Sequence, residues 1–425
     1  MRAAEVAGLL AWHSLRCGGR LLAARRPFRG RSAATPSARL IGRTLVELCE
    51  GLGAAFVKIG QVASARPDLL SADLVRELRR LQDEVAPIPA HRIPALLQNA
   101  FERDPSEIFA DFDLRPVGSA SLAQVHRATL REPVDGVREV AVKLLRPKVE
   151  WQIRSDLRLL GLMVRAIDWL PPLRPLPLRE AVAEVGAAVE QQLDLEGEAR
   201  SNGRFRANLE HQAVCLPKVI APWSNRRALT MEYLPDLERL DRSSLDRSAL
   251  EEATLTGLRT LFRMIFIDGF VHADLHPGNV FFRHRGEVVL VDTGLVALLP
   301  DPDRREFKTF FSGMVANDGR RCAAVVERMA VFKGPAFDSQ RFTQAMVALI
   351  AHHSRLVTDD FEVAAFVAQL FELQRRHDLR GSTAFTMTIL SLAVYEGIVK
   401  QTHPTLDFQR QAMAFLVRHR LNRDP

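Results

Sequence analysis

Two acids and an amide in the second half of the chain raise the first chemical question. His272-Ala273-Asp274-Leu275-His276-Pro277-Gly278-Asn279 is followed by Val289-Leu290-Val291-Asp292-Thr293-Gly294. An Asp and an Asn at D-x4-N spacing, then Asp-x-Gly after an apolar run, suit phosphoryl transfer. Its transition state spreads negative charge over phosphate oxygens, and metal ions held by an amide and a carboxylate offset that charge. D-x4-N alone is common; followed at this interval by strand, turn, strand and Asp-x-Gly it is not. On this reading Asp274 takes the proton of the attacking hydroxyl, and Asn279 and Asp292 hold Mg2+. The competing reading makes Asp274 a turn or capping residue. His272 and His276 stand at i, i+4 like a zinc pair, but Pro277-Gly278 and the lack of a third ligand nearby weigh against zinc.

Protein kinases arrange such groups as H-R-D-x-x-x-x-N and D-F-G. Upstream they place a Lys on a V-A-I-K strand, where it contacts phosphates and pairs with a helix Glu. Val140-Ala141-Val142-Lys143 matches that strand. Only seven of the 58 basic residues are Lys, so a Lys here points to a compact ammonium reaching between phosphates, a need Arg would not meet. Its partner is expected after the proline-rich break at 171–177. Glu198 is the choice, with Asp194 one turn earlier on the same face of one long helix. Glu190 and Glu196 are alternatives, and a solvated carboxylate is the bland reading of Glu198. Met231-Glu232-Tyr233-Leu234 has the character of a hinge, with main-chain groups of Glu232 and Leu234 on adenine and Met231 behind it. A plain strand end fits that segment nearly as well.

The elements that must position these groups follow from periodicity. Residues 44 to about 110 read as helical, through Leu45, Leu48, Leu52 and Phe56 and then Leu74, Leu78 and Leu81, with breaks at Pro87 and Pro89. Val117 to Ser121 is small and turn-like, and Glu139 to Leu145 is a short strand closed by Arg146-Pro147. Helices are expected from Val149 to Trp169 and from Arg179 to about Leu209. Leu229 to Leu234 reads as a strand, helices follow to Phe270, two short strands (Val280 to Arg283, Val288 to Val291) flank Arg285-Gly286, and the rest is helical. The result is a two-lobed, mostly helical α+β fold. Its segments are a basic head at 1–43, a helical extension at 44–112, a first lobe with a helical insert at 113–235, and a helical second lobe at 236–425.

Composition narrows the partners. Of 425 residues, 47% are hydrophobic and 26% charged, which excludes wholesale disorder. Residues 1–43 hold nine Arg and one acid, Glu5, for a charge of +8, so the remainder of a chain of net +7 sums to −1. A nearly neutral body is not the footprint of a nucleic-acid binder. In the head, Leu9, Trp12 and Leu15 alternate with Arg16, Arg20 and Arg25, fitting an amphipathic helix on an anionic membrane. A mitochondrial transit peptide and a solvated tail fit it too. No secretory signal is expected, and the apolar run Met387 to Val399 carries Glu396, so no membrane span is read. Cys17, Cys49, Cys215 and Cys322 lack CxxC spacing, which indicates neither disulfides nor zinc. The expected location is cytoplasmic and peripheral on the inner membrane, with the mitochondrial matrix side as the alternative.

Taken together, these motifs make the sequence from about Leu45 to Val296 resemble the UbiB/ADCK family of atypical, protein-kinase-like proteins. In order they are Phe56-Val57-Lys58-Ile59-Gly60-Gln61 (the family's K-x-G-Q), Pro116-Val117-Gly118-Ser119-Ala120-Ser121-Leu122-Ala123-Gln124-Val125-His126 (its nucleotide loop), and Lys143; then come Gln192-Leu193-Asp194 through Glu198-Ala199, and H-A-D-L-H-P-G-N with Asp292. The resemblance implies a kinase-like fold binding ATP and Mg2+. The nucleotide would lie against Val117, Gly118, Ser119, Ala120, Ser121 and Val125, with Met231, Glu232 and Leu234 at the adenine. Lys143 would touch phosphates and pair with Glu198, Asp274 would be catalytic, and Asn279 and Asp292 would hold metal. The K-x-G-Q helix would cover the place of a protein substrate, making Lys58, Gln61, Gln192 and Asp194 regulatory; surface polarity is the bland reading of Lys58 and Gln61. Family members support ubiquinone or other prenyl-lipid metabolism, which implies a membrane surface and quinone-biosynthesis proteins as partners.

The sequence also departs from the family pattern. Gln192 stands where the family has the carboxylate partner of Lys58, Thr293 replaces the Phe of D-F-G, and Ala273 replaces the Arg that grips an activation-loop phosphate. No A-P-E follows, which argues against activation by loop phosphorylation. The variants are nearest the ADCK-two-like branch. Two functions stand: an ATP- and Mg2+-dependent phosphotransferase or ATPase, and a nucleotide-binding scaffold without catalysis. The K-x-G-Q extension disfavours a protein substrate.

Overall fold

A computed structural model describes residues 36–421 except 65, 67–68, 71, 82–85, 168–177 and 355–361. The amphipathic pattern of the head and the proline-rich break lie outside the described residues. The chain forms two compact units. One comprises the described residues through Gly197 with Val219–Tyr233, the other Glu198–Lys218 with the chain from Leu234 onward.

The first unit opens with three helices, α1 (Pro36–Leu52), α2 (Ala54–Ser64) and α3 (Ala72–Leu78). α1 takes in the last residues of the stretch read as the head. Gly60 lets α2 pack closely, because a Cβ there would stand 2.4 Å from Leu81 Cδ1 and 3.3 Å from Cys49 Sγ. After α4 (Ile93–Phe101) and α5 (Pro105–Ile108), the chain enters an antiparallel sheet of β1 (Phe109–Ser119), β2 (Ala123–Val134), β3 (Val137–Leu145) and β5 (Ala228–Glu232), in that spatial order. Strand alternation divides its faces. Val140, Val142 and Leu144 pack into a core with Ile93, Leu97 and Phe109, which leaves Ala141 and Lys143 on the opposite face. The helical insert is α6 (Val149–Ile167) and α7 (Leu178–Gln192), followed by α8 (Leu195–Asn208).

The second unit holds short strands and long helices. β4 (Val214–Cys215), β8 (Val288–Leu290) and β7 (Val280–Phe282) form one sheet, and β6 (Phe270–His272) pairs with β9 (Val296–Leu298). Around them run α9 (Arg247–Arg263), α10 (Asp301–Val315), α11 (Gly319–Arg328), α12 (Ser339–Ser354), α13 (Val363–Arg376), α14 (Thr383–Thr402) and α15 (Phe408–Leu421). Buried phenylalanines knit the helices: Phe307 and Phe310 lie 5.3 and 5.6 Å from Phe385. The apolar run ending at Val399 lies within α14, which is largely buried. Its Glu396 anchors the neighbouring helix, since Oε1 and Oε2 accept the Val363 and Ala364 amides at 2.9 and 3.1 Å, where α13 begins. Among the described residues no helix is long and apolar enough to cross a membrane.

Three expectations need correction. Val117 to Ser119 is the end of a strand, and the turn is confined to Ala120–Leu122; β1 hides its period behind register shifts and exposed residues. The helix expected over 179–209 is two helices. Asp194 breaks it by accepting the Gly197 amide on Oδ1 at 2.9 Å, a cap on α8, so Asp194 and Glu198 do not share one face of one long helix. β4, β6, β9 and the β10–β11 pair (Ala330–Lys333, Leu379–Gly381) were not expected. Strands of two to four residues are too short for alternation to show.

Candidate functional site

The second unit gathers Asp274, Asn279, Asp292 and Glu198. β6 delivers the chain into the Ala273–Gly278 loop, and the β7–β8 hairpin returns it to Asp292. His272, fully buried, ties the two ends. Its Nε2 bonds the Val291 carbonyl at 3.2 Å while Nδ1 accepts the Asp274 amide at 3.2 Å, which fixes a neutral Nε2–H ring. Burial pushes its pKa down, against the charge of Asp274. Asn279 closes the loop: Nδ2 donates to the Asp274 carbonyl at 2.9 Å, and the Asn279 carbonyl accepts the Val291 amide at 3.0 Å. That leaves Oδ1 as the side-chain acceptor for a cation. His276 is half exposed, 3.9 Å from Asp274 Oδ2, and accepts the Gly278 amide.

Asp292 adopts a left-handed backbone, φ 55°, a conformation that Asp tolerates better than most residues and that often marks functional sites. Next to it, Thr293 is buried and donates to the Glu198 carbonyl at 3.1 Å. This hydroxyl contact stands where kinases carry the D-F-G phenylalanine. Gly294 leaves a cradle: a Cβ there would lie 3.3 Å from Asp292 Oδ1 and 3.4 Å from Glu198 Oε2. Two carboxylates converging on one point favour a cation. All these donors are oxygens, which suits Mg2+. Among the described residues no three His, Cys, Asp or Glu side chains form a metal cluster. A divalent ion here would complete its shell with phosphate oxygens and water, the usual habit of Mg2+.

The first unit holds the groups read as nucleotide contacts. Lys143 on β3 is paired with Val125 on β2 and Leu229 on β5, and Gly118 is paired with Val125. Val117, Gly118, Val125 and Lys143 are thus neighbours across three strands. Val117 is 55% exposed, and a Cβ at Gly118 would meet nothing within 4 Å, so this arm is open to a ligand. Met231 and Glu232 end β5, opposite Ala141 and Val140. The chain leaves the first unit after Tyr233, so Leu234 belongs to the second. Glu198 likewise belongs to the second unit and Lys143 to the first.

Lys58 and Gln61 lie on α2. Gln61 Nε2 donates to the Leu81 carbonyl at 3.3 Å, and its Oε1 is buried with no hydrogen-bond partner. Gln192 ends α7, and Asp194 caps α8 as described.

Two contributors were missed in the sequence. Arg146, read as the end of a strand, holds the turn: Nε donates to the Ala120 carbonyl at 2.7 Å, Nη2 to Ser119 Oγ at 2.9 Å and to the Ala86 carbonyl at 3.1 Å. A lone Arg before Pro147 gave no signal of this. His272 is the other; its position before the Ala-Asp pair could have suggested a buried tie.

An antiparallel sheet bearing Lys143 on a Val-Ala-Val-Lys strand, and a helical unit bearing Asp-x4-Asn and Asp-x-Gly, define a kinase-like protein. Residues 80–326 match the family described as the ABC1 atypical kinase-like domain. Curated relatives named "Probable protein kinase UbiB" are similar. The one from Xanthomonas axonopodis pv. citri is 31% identical over 410 residues, covering 92% of this chain and 72% of that protein. The one from Marinobacter nauticus is 30% identical over 376 residues, covering 86% and 68%. A Mycobacterium tuberculosis protein solved in complex with erythromycin shares the fold, with a TM-score of 0.57 at 22% identity over 83% of this chain and 90% of that one. The chain belongs to the ABC1 family of atypical kinase-like proteins, of the UbiB type.

Proposed function

We propose that this protein is an atypical kinase or ATPase that binds ATP with Mg2+ and supports ubiquinone or related prenyl-lipid biosynthesis. The observation that carries the reading is the convergence of Asp292 and Glu198 on the space above Gly294, beside a loop locked by Asn279 and His272. Mg2+, when bound, would offset charge on the phosphate oxygens. Asn279 Oδ1 and Asp292 would hold it. Lys143 would place its ammonium between phosphates, and Val117–Ser121 with Val125 would lie along the nucleotide. Main-chain groups at Glu232 and Leu234 would read adenine beside Met231. Asp274 would orient the attacking hydroxyl or water and take its proton. Lys58, Gln61, Gln192 and Asp194 are assigned to regulation. The membrane surface and quinone-biosynthesis proteins are the partners of this reading. The names of the curated relatives, "Probable protein kinase UbiB", support the kinase assignment, and the ubiquinone assignment rests on the family resemblance of the motifs.

The test compares wild type with Asp292→Asn and Asp274→Asn. Mg2+-dependent ATP binding should be lost in Asp292→Asn, while Asp274→Asn should bind but not turn over. Quinone profiles of a deletion strain should be restored by wild type alone. Rescue by Asp274→Asn would favour a scaffold over an enzyme, and a wild type that gives no Mg-nucleotide thermal shift would defeat both.

A further inference from the structure

Strand β1 is interrupted. Its pairing with β2 runs to Phe112↔Ala128 and resumes at Pro116↔His126, leaving Asp113–Arg115 outside the ladder; Pro116 itself has no N–H to offer. A side chain closes the gap. His126, fully buried, bonds the Asp113 carbonyl through Nδ1 at 2.7 Å, and Asp113 Oδ1 accepts the Arg115 amide at 2.9 Å. The other ring nitrogen, Nε2, meets Gln124 Nε2, and Gln124 Oε1 accepts the Ile88 amide at 2.9 Å. Each polarity fixes the next. A carbonyl only accepts, so Nδ1 carries the hydrogen. The Gln124 oxygen serves Ile88, so its NH2 faces the ring, and Nε2 must be the bare nitrogen. Gln124 and His126 pair with Leu144 and Val142 on the core face, while Val125 between them pairs with Lys143.

Resting on the nucleotide-site reading above, we propose that neutral His126 is a positioning residue. It pins the arm Pro116–Ser119 across the break in β1, and its protonation unpins the arm by setting an imidazolium N–H against the Gln124 N–H. Burial lowers the His126 pKa, opposed by the Asp113 carbonyl bond and the Asp113 charge. The Asp113 carboxylate on β1 is the charged group acting on the ring; β3 presents Val142, the segment before α4 presents the Ile88 amide, and Phe112 packs its ring 5.2 Å away. The ring is therefore neutral and the arm held at about pH 6.5 and above, and the arm is released only as pH falls through the lowered pKa of the buried ring.

The test follows His126 imidazole 15N shifts, backbone amide shifts of Ser119 and Ala120, and the Kd for Mg-ATP from pH 8 downward through the titration of the ring. It uses the full chain, His126→Phe and Gln124→Glu, with melting curves to verify folding. A neutral Nδ1–H ring is expected at pH 7.5, with Ser119 and Ala120 tracking its titration and Kd rising about ten-fold on protonation. His126→Phe should show the raised Kd at every pH. Gln124→Glu, whose carboxylate accepts from both Ile88 and an imidazolium, should lose the acid-side rise. An Nε2–H or charged ring at pH 7.5, or the same acid-side rise in His126→Phe, would overturn the pin. A wild type with no Mg-ATP affinity at pH 7.5 sinks the nucleotide reading instead; the ring tautomer and the Ser119 and Ala120 shifts then still decide whether the pin exists.

Discussion

Glu198 and Asp292, 94 positions apart in sequence, bring carboxylate oxygens to 3.4 and 3.3 Å of the point where a Gly294 Cβ would stand. Glu198 arrives on α8, capped by Asp194, and Asp292 arrives from the β7–β8 hairpin, held by the bond from Thr293 to the Glu198 carbonyl. The glycine keeps the space between the two acids open.

Filling that space should separate binding from stability. Gly294→Ala places a methyl against both oxygens, so Mg-nucleotide affinity should fall at least about ten-fold while unfolding shifts by no more than ~1 kcal/mol. Calorimetric titration with Mg-ADP and urea melts on the same sample check it.

On the proposed function, Arg146 should act on nucleotide binding rather than on turnover. Arg146→Ala removes donors to the Ala120 carbonyl, Ser119 Oγ and the Ala86 carbonyl. The KM for ATP should rise about ten-fold with kcat within two-fold, read by steady-state ATPase kinetics. A loss confined to kcat would contradict it.

Acid should weaken the fold through its buried histidines. His126 and His272 are held neutral by burial, so the folded chain binds fewer protons than the unfolded one. Their contribution is complete above about pH 6.5 and is lost as pH falls through their lowered folded values. Melting temperature should therefore be flat from pH 8 to 7 and fall below pH 6.5. His272→Leu should flatten part of that fall while lowering stability at pH 7.5.

A core glycine supplies a stability test away from the site. A Cβ at Gly257 would stand 1.7 Å from the hydroxyl of buried Tyr395 and 2.7 Å from its Cζ. Gly257→Ala should destabilise the second unit by about 2 kcal/mol or more, measured by urea denaturation.

Much of the placement was legible in one dimension because these groups are positioned locally. Asp274 and Asn279 share one loop, Asp292 follows a three-residue apolar strand, and Lys143 sits on a strand whose alternation is visible. Side-chain type and short spacing are enough when one loop or strand does the positioning.

What the linear pattern could not give depends on contacts between distant segments. Whether Asp194 extends a helix or caps a new one turned on its bond to the Gly197 amide, since propensity allows either. The strands β4, β6 and β9 exist because other segments supply their partners. Glu396, which in sequence only interrupts an apolar run, is buried because the amides of Val363 and Ala364 meet it. The sequence alone settled which groups the protein carries and its kinase-like class. Tertiary structure decided which of them meet, because a hydrogen bond or a close approach between residues tens to a hundred positions apart leaves no period along the chain.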